Sequence, residues 1–242
     1  MNYPQVADRV VGLLGLGTPP IALTFADQGP EGIPGPPADA PSSCSFWRQA
    51  EQGTFFASAA DHRNCPIGAM VMGFALPEDV QQQIGKLVGD MCDCHYLSPD
   101  EPAQIPSVRE QHAGIVYGPL AEATATPDVV LLWADPRQAM LCNEAMGTAS
   151  WTAGGPSITG RPGCAALPIA MNTGSSAMSF GCAGMRTFTE VADDQLLIAI
   201  PGQELDKFVA AFEETSEANK QMLGFYQGQR ALFRNGASHA AG

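Results

Sequence analysis

The sequence predicts an α/β or α+β fold, a compact mixed sheet with flanking helices, and three observations carry that expectation. Short apolar runs at Ile21–Phe25, Ile115–Tyr117, Val129–Trp133 and Leu196–Ile200 have the length of strands. Other stretches repeat apolar residues at helical spacing. Pro- and Gly-rich segments separate the two kinds. With 45% hydrophobic and 15% charged residues, the 242-residue chain can bury one substantial core, so a single domain over 1–242 is expected.

In chain order, Val6, Val10, Leu13 and Leu14 define a first helix ending near Gly15–Gly17. Pro19-Pro20 breaks the chain before the strand at Ile21–Phe25, which runs out at Ala26-Asp27. Residues 28–43 hold five prolines and three glycines, which excludes regular helix. A segment with Phe46, Trp47, Phe55 and Phe56 follows. Cys65-Pro66-Ile67-Gly68 reads as a turn into the apolar stretch Ala69–Leu76. Pro77-Glu78-Asp79 opens a helix, with acids in its first turn and a buried face from Val80, Ile84, Leu87, Val88 and Met91.

Pro136–Met146 reads as a short helix carrying Cys142, and residues 147–163 as a long loop. Met185–Val191 and Leu196–Ile200 read as strands joined at Asp193-Asp194. After Pro201-Gly202, Leu205, Phe208, Val209 and Phe212 mark an amphipathic C-terminal helix, and 237–242 a flexible tail. Pro20–Asp27 resembles Pro127–Asp135, and Cys44 precedes Cys65 by 21 residues as Cys142 precedes Cys164 by 22. Two readings stay open: related halves of about 1–120 and 121–236, or chance similarity between buried strands.

A net charge of −13 with only 12 basic residues argues against a nucleic-acid partner. The absence of a long apolar run argues against a membrane span. Met1–Gln5 shows no basic region leading into an apolar core, so a cytoplasmic location with reduced thiols is expected. No Gly-x-Gly-x-x-Gly opens a helix after a strand, so no dinucleotide fold is supported. Asp27 and Asp135 follow candidate strands and read as caps.

Seven cysteines, Cys44, Cys65, Cys92, Cys94, Cys142, Cys164 and Cys182, are the chain's chemical signal. An odd count disfavours a complete disulfide framework. Their neighbourhoods carry a wider pattern: Leu14-Gly15-Leu16 with Pro19–Leu23, Cys44 before Arg48-Gln49-Ala50, and Cys65-Pro-Ile-Gly-Ala69. Ile105-Pro106, Val116–Leu120, Pro127–Val130, Gly160-Arg-Pro-Gly-Cys164-Ala, Ser179-Phe-Gly-Cys182-Ala-Gly-Met-Arg186 and Ile200-Pro201-Gly202 continue it. The whole resembles the bacterial and archaeal family called domain of unknown function 169. The resemblance implies no activity, but it singles out Cys44, Cys65, Cys164 and Cys182 as family-like thiols.

Thiolates are soft ligands for iron–sulfur clusters, zinc and copper. The chain has no C-x-x-C pair, and its thiols stand singly on separate segments. That dispersion fits a cluster pocket better than a zinc knuckle. The expected ligand set is Cys44, Cys65, Cys164 and Cys182 around an iron–sulfur cluster, in the first instance 4Fe–4S. Gly160–Gly163 and Gly181–Gly184 supply close backbone approach and N–H groups around Cys164 and Cys182. Arg161 and Arg186 are placed to hold an anionic cofactor or ligand. An oxidoreductase or cluster-dependent lyase acting on a small molecule follows, with an electron donor and a homo-oligomer as open partners.

A zinc- or copper-binding or delivery protein, and a metal-free binding protein with thiols in its core, are the alternatives. Cys92, Cys94 and His95, with Cys142, form a candidate second site or, more blandly, helix-end and core thiols. His62 reads as a solvated loop residue that could serve as proton donor or ligand, and His112 and His239 carry no motif.

Overall fold

The computed structural model describes residues 1–146 and 157–234. It is an α+β fold; the described residues form a seven-stranded mixed sheet flanked by eight helices. The strands are β1 (Ile21–Ala26), β2 (Phe55–Ser58), β3 (Gly114–Pro119), β4 (Val129–Ala134), β5 (Ser157–Thr159), β6 (Ala177–Ser179) and β7 (Leu196–Pro201). They lie in the order β2-β3-β1-β4-β7-β6-β5, with only the β5–β6 pair parallel. β1 and β4 meet antiparallel at the centre, Ala22 opposite Val130. The order outward is then β3 and β2 on one side, β7, β6 and β5 on the other.

The helices are α1 (Tyr3–Leu14), α2 (Ser45–Gln49), α3 (Pro66–Val71), α4 (Glu78–Asp93), α5 (Pro136–Ala145), α6 (Ala166–Thr173), α7 (Ala183–Thr189) and α8 (Leu205–Arg234). Alternation along the strands divides the core into two layers. Ile21, Leu23, Leu131, Trp133 and Leu197 pack on one face with residues of α2, α3, α6 and α7. Ala22, Val130, Leu132, Ile198 and Ile200 pack on the other with α1, α5 and α8. β4 is buried along its whole length because both faces are covered, so it reads as a continuous apolar run.

Local signals set several boundaries. Gly15 closes α1 in the left-handed conformation at φ 66°. Asp135 caps α5 in a reciprocal box with Gln138, as the cap reading expects. Gln138 Nε2 also donates to the carbonyls of Leu14 and Gly15 at 3.2 and 3.0 Å, tying α5 to the open end of α1.

Four expectations are corrected. Met185–Val191 is not a strand: Ala183–Thr189 forms α7, whose first turn is set by Cys182 at the N-cap. α4 buries only Val80, so Ile84, Leu87, Val88 and Met91 do not form a core-facing stripe. Residues 157–159, read as loop, form β5, while 147–156 of that loop and the tail 237–242 lie outside the described residues. Asp27 caps no described helix; it pairs with His112, Oδ1 to Nδ1 3.1 Å.

Candidate functional site

Four segments each bring one thiol to the same place. The loop after β1 ends at Ser42-Ser43-Cys44, with buried Cys44 at the N-cap of α2. Cys65 is the N-cap of α3, and its φ of −122° fits the proline that follows. Cys164 lies buried in a single 3₁₀ turn, Gly163–Ala165, that leads into α6. Cys182 is the N-cap of α7, and its Sγ accepts the Met185 N–H at 3.4 Å. Cys44, Cys65, Cys164 and Cys182 all border one cavity of about 290 Å³. Three of them hold N-cap positions, where first-turn N–H groups lack intrahelical partners.

The thiols interact electrically. Burial, helped by the charges of Cys65 and Cys182 and opposed by the hydrogen bond with Ser42, pushes the Cys44 thiol up to about 12. Burial raises Cys164 well above the ordinary thiol range, and Cys65, Cys44 and Cys182 add to the effect. Burial thus favours the neutral thiol at both sulfurs.

Two details mark the packing at the thiols. Ser43 is 1% exposed, and its hydroxyl has no hydrogen-bond partner. A Cβ on Gly68 would lie 2.5 Å from that hydroxyl oxygen and 2.9 Å from Cys65 Sγ, so only glycine admits this packing. Beside it, Ser42 Oγ and Cys44 Sγ are 3.0 Å apart. A single metal ion would draw its sulfurs to about 3.7 Å from one another, given bonds of about 2.3 Å. Among the described residues, no three His, Cys, Asp or Glu side chains converge that way. The four thiols border one cavity and feel each other's charges without that convergence.

Behind the thiols lies a buried polar pair. Tyr117 is fully buried, and its hydroxyl is 2.9 Å from His62 Nε2. His62 Nδ1 is 2.7 Å from the Ser58 carbonyl, which can only accept, so Nδ1 carries the proton and Tyr117 donates to Nε2. Burial lowers His62 to about 4. Burial raises Tyr117, and the nearby Cys164 and Cys44 raise it further. The expectation of a solvated loop histidine is thus wrong, because Phe46 and Phe74 enclose the ring.

The rest of the cavity lining is mainly apolar, with Leu87, Val88 and Met91 of α4 joined by Ile67, Ile105 and Phe188. Among the described residues, Arg161 is the one charged residue on its lining. Its guanidinium lies 4.6 Å from the Tyr96 ring centre and pairs with Glu101 at 3.2 Å. Arg186 is placed differently: it donates to the carbonyls of Phe180, Ala192 and Gln195, so its charge serves the loop around α7. Cys142 is buried in the opposite layer, and Cys92 and Cys94 lie at the end of α4 beside His95, with Cys94 exposed.

A model of the family domain of unknown function 169 (DUF169), described as uncharacterised ArCR, matches residues 9–211. The chain belongs to this family. Neither a curated protein nor a solved structure matches the chain. In this DUF169 protein, all four cavity thiols lie within the matched region, whereas most of α8 lies beyond it. Ser43, Gly68, Tyr117 and the α4 wall escaped the sequence reading; Gly68 alone carried a signal, through its place in Cys65-Pro-Ile-Gly-Ala. A larger cleft of about 450 Å³, around His112, Asp128, Asn172 and Glu204, contains no thiol. Asp128 there accepts the Phe25 N–H at 2.7 Å and so ties β1 to the start of β4.

Proposed function

We propose that this DUF169 protein holds an iron–sulfur cluster, in its simplest form 4Fe–4S, on Cys44, Cys65, Cys164 and Cys182. The observation that carries the reading is that four thiols from four distant segments border one cavity. Held by all four thiols, the cluster would supply electron transfer; held by only three, it would offer an open iron as a Lewis acid. The chain's own groups suit it. Ser43 gains an acceptor for a buried hydroxyl that otherwise leaves a desolvation cost of about 1–3 kcal/mol. The Met185 N–H already donates to Cys182 Sγ. The apolar α4 wall excludes water and favours a small, largely apolar substrate, with Arg161 as the cationic group at its edge.

The reading makes the protein a redox or cluster-assisted enzyme of a reducing compartment such as the cytoplasm. No helix among the described residues is long and apolar enough to cross a membrane. Anaerobic purification and reconstitution test it. The expected result is a brown protein with a thiolate-to-iron charge-transfer band and about four iron and four acid-labile sulfide per chain. A protein that takes zinc or copper without sulfide points to the single-ion alternative. One that takes no metal, and whose thiols react only after unfolding, overturns both.

A further inference from the structure

α4 is held less firmly than α1 and α5 of the other layer. Across its 16 residues only Val80 is buried, whereas the shorter α1 buries four residues and α5 five. Leu87, Val88 and Met91 border the thiol cavity instead of sitting in filled core. Among the described residues, nothing lies within 4 Å of where a Cβ on Gly85 or Gly89 would stand, so the outer side of the helix is open. The two glycines also lower its intrinsic helix stability. A helix with so few buried apolar contacts opens locally at less cost than global unfolding.

What fastens its C-terminal end is polar. Cys94 ends α4, and His95 turns the chain at φ 59°, in the left-handed region. After that turn, Tyr96 and buried Leu97 lie on the cavity lining. The Arg161 guanidinium stands 4.6 Å from the Tyr96 ring centre, and the Tyr96 hydroxyl accepts the Ala183 N–H, next to Cys182, at 3.4 Å. Glu101, whose carboxylate accepts the Ser98 N–H at 2.6 Å, takes Arg161 Nη2 at 3.2 and 3.3 Å. Arg161 thus grips two residues of the segment 96–101 from a stretch that leads to Cys164. The side chains of this ion pair are 37% and 41% exposed, so water and salt weaken it. Such a closure can be undone without disturbing the sheet.

We propose that α4 is a lid over the thiol cavity and that Arg161, through Glu101 and Tyr96, is the latch that holds its C-terminal end shut. Releasing the latch lets that end lift while Phe74 and Val80, both buried, hold the other end to the body. An open lid uncovers Cys65 and Cys182, the two half-buried thiols of the cavity, and admits what the cavity binds. The use of the lid to load a cluster or admit a substrate rests on the function proposed above. The lid itself does not, and the metal-free protein tests it.

The test is the rate at which N-ethylmaleimide modifies each thiol of the full metal-free chain, read by peptide mass spectrometry in a Cys92→Ser, Cys94→Ser background. Arg161→Ala is expected to speed modification of Cys65 and Cys182 by about tenfold, since it removes both the ion pair and the ring contact. Glu101→Gln is expected to speed it by about threefold, and the double variant no more than Arg161→Ala alone. Cys142, across the sheet, is expected to keep its rate in all three and so reports on loosening of the whole fold. Unchanged rates at Cys65 and Cys182, a parallel rise at Cys142, or effects that multiply in the double variant overturn the proposal. A chain that gates its thiols in this way but takes no iron overturns the cluster reading alone; one that takes iron with ungated thiols overturns the lid alone.

Discussion

Cys164 and Cys142 are both buried cysteines on opposite layers of one sheet. Burial raises the pKa of each, Cys142 to about 12 and Cys164 well above its ordinary value. They differ in company. Burial is the sole cause at Cys142, whereas Cys164 also feels Cys65, Cys44 and Cys182. Burial alone makes a small apolar core residue; it is the shared cavity of Cys44, Cys65, Cys164 and Cys182 that the proposed cluster rests on. The local architecture differs in the same sense. The Cys142 layer is built mainly from long helices, whereas the thiol layer is built from short helices entered through Pro, Gly and N-cap cysteines.

The sharpest way to break this comparison is to remove one thiol from each layer. Cys164→Ala is expected to lower bound iron at least tenfold, while Cys142→Ala retains full iron and shifts stability by only about 1 kcal/mol. Iron analysis after anaerobic reconstitution and thermal melts of both variants check it; equal iron loss would erase the distinction between the layers.

Acid should also act through the thiol layer. The folded pKa of His62 is lowered from 6.5 to about 4, so the unfolded chain binds the extra proton between those values. The stability from keeping His62 neutral is present above pH 6.5 and lost as pH falls toward 4, by about 3 kcal/mol in all. Melting temperature against pH is expected to fall across that window and to flatten in His62→Phe. An unchanged slope in that variant would show that another group carries it.

Gly68→Ala comes next. Its Cβ would press on Ser43 Oγ and Cys65 Sγ, so iron occupancy is expected to fall by about tenfold. Gly12→Ala, on open surface of α1 in the other layer, is expected to leave iron unchanged and stabilise slightly.

Ser43→Ala gives the smallest effect and the most specific sign. Removing an unpartnered buried hydroxyl is expected to stabilise the metal-free protein by about 1 kcal/mol. In the reconstituted protein the same change is expected to lower the cluster's reduction potential, because a donor near its sulfurs is lost. Melts and a redox titration read the two separately. A variant that loses stability without metal would show that the hydroxyl already has a partner.

Long or strongly patterned elements were legible from the residues. α1, β1, β4, α5, β7 and the start of α8 lie where periodicity and caps place them. β2, β5 and β6 span three or four residues, too few for a period, and were not predicted. α7 was misread because Thr187, Thr189 and Val191 favour strands, while Cys182 at the N-cap and Gly181 at φ 84° start a helix there. The apolar side of α4 was visible, but periodicity does not say whether such a face meets the core or a cavity.

The sequence by itself determined the chemistry available: which residues are thiols, that they stand singly, and that Gly and Pro shape their turns. Those are properties of contiguous residues, and local sterics and hydrogen bonding act over a few positions. Only the tertiary structure decided that Cys44, Cys65, Cys164 and Cys182 share one cavity while Cys142 lies across the sheet. It likewise placed His62 behind the thiols, bonded to Tyr117 rather than in solvent. The distance between residues 44 and 182 depends on the strand order around the β1–β4 pair and on which layer each helix joins. That order is set by the collective burial of both sheet faces, which no short stretch of the chain encodes.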